Sequence, residues 1–162
     1  MFAPITENPF AILTLIAAPA VFTNASSVLA LGTGNRLARV VDRTRYLARE
    51  LHSAAARDET TRLWVSHLSR LEKRGALLVR ALSFFYSAIG AFAAASLVSV
   101  LGATLAGSEH GLPLAAIAGI SFIAGSIGFV GLSGGCILLV NETRLALRTV
   151  SEEAELAKSW AK

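Results

Sequence analysis

Three stretches of this chain, Phe10 to Leu31, Leu82 to Ala106 and Leu112 to Val140, run without a single Asp, Glu, Lys or Arg. A helix crosses the hydrocarbon core of a bilayer with about 20 apolar residues, and each stretch reaches that length. The pattern predicts an all-α protein with three transmembrane helices. With 54% hydrophobic side chains and a mean hydropathy of +0.58, the chain is too apolar for an ordinary soluble domain of its size.

Charge placement predicts the orientation. Of the 15 Lys and Arg, 11 fall between Arg36 and Arg80 and four between Arg144 and Lys162, as expected of cytoplasmic segments under the positive-inside rule. The segments between and before them hold Glu7, Glu109 and His110 but no Lys or Arg. The expected order is therefore an outer lead-in at 1–9 and a first transmembrane helix at 10–31, then a cytoplasmic antiparallel helical hairpin at 32–81. A second transmembrane helix at 82–106, an outer turn at 107–111, a third at 112–140 and a cytoplasmic C-terminal helix at 141–162 follow. This gives a multi-pass protein of the inner membrane, N-terminus outside and C-terminus in the cytoplasm. "MFAPITENP" lacks the basic start of a cleaved signal peptide, so the first span is expected to be retained.

Within the hairpin, Leu37, Val40, Val41, Leu47, Leu51 and Ala55 recur at helical spacing, and Trp64, Leu68, Leu71, Gly75, Leu78 and Leu82 step by four and three, as in a coiled coil. Between these stripes, "ARDETT" offers Asp58 or Thr60 as a cap for a new helix. The segment carries 11 basic against five acidic residues, a net +6, which suits contact with anionic lipid headgroups. No nucleic-acid reading module accompanies the arginines, so no nucleic-acid partner is expected.

Rows of small residues predict close helix packing, and with it a homo-oligomer. In the second span the row is Ser87, Ala91, Ala95, Ser99 and Ala103; in the third the small pairs include Gly125, Gly128, Gly131 and Gly135. The first span is different, because "PAVFTNASSVLALG" sets Pro19, Thr23, Asn24, Ser26 and Ser27 into an apolar run. At about 100° per residue these cluster on one side of a helix, and Pro19 frees the Leu15 carbonyl. Such a strip is read either as interhelical hydrogen bonding or as the lining of a hydrated path between several copies of the helix. A small-ligand site is a third reading. In the pore, Arg36 and Arg39 stand at the inner mouth and favour anions.

No metal-ligand spacing, phosphate loop or nucleophile motif is present, and the spans hold no ionisable group apart from Cys136 and Tyr86. No cofactor, no metal and no catalysis are expected. An opening of the kind "NPFAILTLIAAPAVFTNASSVLALGTGNRLARVVDRTR", followed by a basic helical segment and a Gly-rich hydrophobic pair, resembles a bacterial family catalogued as domain of unknown function 2721. The resemblance covers most of the chain and is most specific at "LIAAPAVFTNASSVLALGTGNRLARVVDR". It implies a small bacterial integral membrane protein and carries over no activity and no site residue. The residues themselves favour a homo-oligomeric, channel-like assembly lined by the first helix. The alternative is a non-conducting scaffold or accessory subunit, docking lipid or a larger membrane complex through the basic hairpin.

Overall fold

The computed structural model describes residues 9–53, 58–105 and 114–160, which form three helices: α1 (Pro9–Ser53), α2 (Asp58–Leu105) and α3 (Leu114–Trp160). Pro9 opens α1, where a missing N–H costs nothing, and α2 opens on Asp58, whose charge suits a helix N-terminus. Pro19 lies inside α1, and the helix continues through Gly32 and Gly34 into the basic segment. Most of the lead-in, residues 54–57 with Ala55, and the expected outer turn lie outside the described residues.

Inward-facing residues recur in all three helices at alternating steps of three and four. In α1 Ser26, Ala30, Thr33, Val40 and Leu47 are buried; in α2 the buried run is Leu78, Ala81, Phe85, Ala88, Phe92, Ala95 and Ser99. In α3 Ile117, Ser121, Gly128, Gly131, Gly135 and Glu142 are buried. A step averaging 3.5 residues stays on one face of a 3.6-residue helix over many turns, so each helix presents one continuous seam.

The chain forms two compact units, each drawing on all three helices. Unit 1 is Met1–Ala30 with Phe84–Gly134. There the Phe22 ring of α1 stacks on Phe92 of α2, with centroids 5.3 Å apart, and meets Phe129 of α3 edge-on at 6.4 Å. Such pairs add roughly a kcal/mol beyond the area that they bury. Gly128 lies directly under the Phe92 ring, and Gly131 lies against Ala88. Unit 2 is Leu31–Ser83 with Gly135–Lys162. In it α1 and α2 run antiparallel: Val40 faces Gly75, and further along Leu47 shares a groove with Trp64.

The expectation of three transmembrane helices is corrected at this point. Among the described residues two helices, not three, are long and apolar enough to cross a membrane, within Trp64–Gly102 and Ala115–Ser151, with mean hydropathies of 1.9 and 2.0. From Ala17 onward the apolar residues of α1 are diluted by Pro19, Thr23, Asn24, Ser26, Ser27 and the Gly32, Thr33, Gly34 trio, and the side chains before Ala17 lie outside those described.

The two apolar helices associate the chain with a membrane. Only 28% and 11% of their apolar windows are buried, whereas a soluble core helix hides most of its apolar surface. Phe122 is 76% exposed, Val130 68% and Ile123 62%, an outward apolar face that lipid would solvate.

Candidate functional site

The polar residues of α1 divide between two faces. Thr23 and Pro19 are half-buried and Ser26 is fully enclosed, all on the seam, whereas Asn24 and Ser27 are exposed. Thr23 Oγ1 donates to the Pro19 carbonyl at 2.9 Å, and Ser27 Oγ donates to the Thr23 carbonyl at 2.8 Å. Both hydroxyls thus return to their own helix four residues back, the cheapest way to satisfy such a group away from water. Ser26 Oγ has no partner among the described residues. Because a buried hydroxyl without a bond costs stability, Ser26→Ala is expected to leave the protein unchanged or stabilise it by up to about 1 kcal/mol. Thermal unfolding in detergent measures this, and a loss of stability would reveal a partner for the hydroxyl.

The small-residue rows are only partly on the contact faces. In α2, Ala95 and Ser99 are buried, Ala91 is half-buried and Ser87 is exposed, while the side chain of Ala103 lies outside the described residues. In α3, Gly128, Gly131 and Gly135 are buried and Gly125 is half-buried. Ser99 Oγ lies 2.9 Å from the Ala95 carbonyl and 3.0 Å from Ser121 Oγ, joining α2 to α3 by hydroxyls. Next to this pair, Pro19, Phe22, Phe92, Phe122 and Phe129 line an apolar groove of about 770 Å³.

Unit 2 holds the densest chemistry. Glu142 sits on the α3 seam with its side chain 3% exposed, and the Arg74 guanidinium meets it at 2.8 Å. Arg74 Nε donates to Glu142 Oε1, and Arg36 approaches the other carboxylate oxygen at 3.6 Å while donating to Thr143 Oγ1 at 3.1 Å. One carboxylate therefore holds two guanidiniums from helices distant in sequence. Arg39 and Arg43 line the same cavity, of about 430 Å³. Arg36 and Arg39, read from sequence as an inner mouth, thus share a cavity with Arg43, Arg74 and Glu142, which sequence reasoning missed. A signal was available: the three-and-four steps from Ile117 reach Glu142, an acidic residue at a seam position.

A family model described as "Protein of unknown function (DUF2721)" matches residues 16–152. No curated protein matches the chain, and no solved structure does.

Proposed function

This chain belongs to the DUF2721 family, and from that premise, which brings no activity with it, we propose that the protein is a non-conducting membrane scaffold that docks anionic lipid through its basic unit. In this reading it sits in the bacterial inner membrane with two spans, and its basic segments 36–80 and 144–162 lie in the cytoplasm. The observation that carries the reading is how two hydroxyls of α1 are satisfied: Thr23 and Ser27 bond their own backbone, while Ser26 is enclosed within the protomer. Hydroxyls satisfied in this way do not need water. Exposed Arg80, Arg144 and Arg148 supply the attraction to headgroups, about 1 kcal/mol for each one near a negative surface.

A homo-oligomeric pore is the second reading, and Asn24 supports it. Its amide is exposed on the protomer without a bond to any described residue, and in a membrane such a group pairs across helices or meets water.

A thiol scan separates the two. With Cys136→Ala as background, single cysteines at Val21, Thr23, Asn24, Ala25, Ser27 and Val28 are exposed to a water-soluble reagent in native membranes. The scaffold predicts that the exposed polar and apolar positions label alike. Labelling at Asn24 and Ser27, with Val21, Ala25 and Val28 protected, overturns it in favour of a hydrated path.

A further inference from the structure

Arg36, Arg39 and Arg43 follow one another at steps of three and four on α1, so their side chains neighbour one another on the helix surface. Like charges at that spacing repel and oppose the helix. The fold adds Arg74 of α2 to the same cavity wall and supplies one carboxylate, Glu142. That carboxylate engages Arg74 closely and Arg36 more loosely. Arg43 lies over the Tyr46 ring, 5.6 Å from its centroid, and Arg39 makes no hydrogen bond or ion pair among the described residues. Four guanidiniums against one acid leave the cavity strongly positive, and Glu142 holds two of them in position before any ligand arrives. Guanidinium forks match phosphate oxygens in pairs.

A second cavity of about 470 Å³ adjoins the first, sharing Arg43, Leu71, Arg74 and Ala146 with it. Its wall adds Tyr46, Trp64 and His67. Flat π-faces and guanidinium planes are the groups on which an aromatic ring stacks. Each cavity is of the size that encloses part of a small molecule.

We propose that these two adjoining cavities of unit 2 form one site for a nucleoside phosphate, with its phosphates on Arg36, Arg39 and Arg43 and its base on Trp64 and Tyr46. The site is separate from headgroup docking, which rests on Arg80, Arg144 and Arg148 outside these cavities, whereas the second cavity offers an aromatic and cationic slot for a ring.

The test uses the purified full chain in detergent, with ATP and inorganic phosphate titrated separately by calorimetry. ATP is expected to bind at least about tenfold more tightly than phosphate, since base stacking adds to the anion contacts. Arg39→Ala is expected to weaken both ligands, without harm to the fold because Arg39 has no partner there to lose. Trp64→Ala is expected to weaken ATP by about tenfold and leave phosphate unchanged. Absence of saturable ATP binding overturns the proposal, as does equal affinity for the two ligands with no effect of Trp64→Ala. Nanodiscs with and without phosphatidylglycerol provide the remaining arm: if the anionic lipid abolishes ATP binding at every concentration, the arginines read headgroups and the nucleotide site is overturned. None of these outcomes decides the scaffold reading, which rests on the labelling pattern along α1.

Discussion

Arg74→Ala is expected to destabilise the protein by about 3 kcal/mol, the cost of leaving a buried carboxylate without its main partner. Glu142 is 3% exposed, and in this variant it would face only Arg36, at 3.6 Å and 47% exposed. Glu142→Gln removes the other half of the same pair and is expected to cost less, about 1 to 2 kcal/mol. The asymmetry follows from solvent: the Arg74 side chain is 26% exposed and can recover water, whereas the Glu142 carboxylate cannot. Arg36→Ala is expected to stay within about 1 kcal/mol, as for other half-exposed pairs. Thermal unfolding of the three variants in one detergent reads the order directly. Equal losses for Arg74→Ala and Glu142→Gln would mean that the carboxylate is not enclosed.

Gly128→Ala is expected to cost about 2 kcal/mol, within the range for overpacking a well-filled core. A Cβ at this position would lie 2.8 Å from the nearest Phe92 ring atom, well inside van der Waals contact. Moving an aromatic ring is often cheap, but Phe92 is itself buried and stacked on Phe22. Its displacement therefore disturbs the contact between α1 and α2 as well. Phe92→Leu in the same chain should relieve the clash, so the double variant should lose less stability than the two single variants summed. Strict additivity would show that Gly128 and Phe92 do not touch. Gly102, under Ile117, is a second position of this kind, and the β-branched side chain above it has little freedom to turn aside.

Helicity, the basic segment and the apolar runs of α2 and α3 were legible in sequence because each is a sum over neighbouring residues. The packing row of α2 was legible in part. A row taken every four residues turns by about 40° at each step, so Ser87, Ala91, Ala95 and Ser99 drift across the helix and only the last two reach full burial. The alternating stripe from Trp64 to Leu82 has the right period and shares Leu78 with the buried seam. Carrying that period forward would have selected Phe85, Phe92 and Ser99 from the sequence.

The polar strip of α1 shows the limit more sharply. Five residues within nine positions read as one face, yet Ser26 turns inward and Asn24 and Ser27 outward, because a strip is divided by the azimuth at which another helix docks. The sequence by itself determined that the chain is helical, apolar and basic in one region, since backbone satisfaction, hydropathy and charge are local properties. Only the tertiary structure decided that Arg36, Arg74 and Glu142 meet. Their separations along the chain, 107 residues from Arg36 to Thr143 and 68 from Arg74 to Glu142, are closed by the register of three helices, and no local sum contains that register.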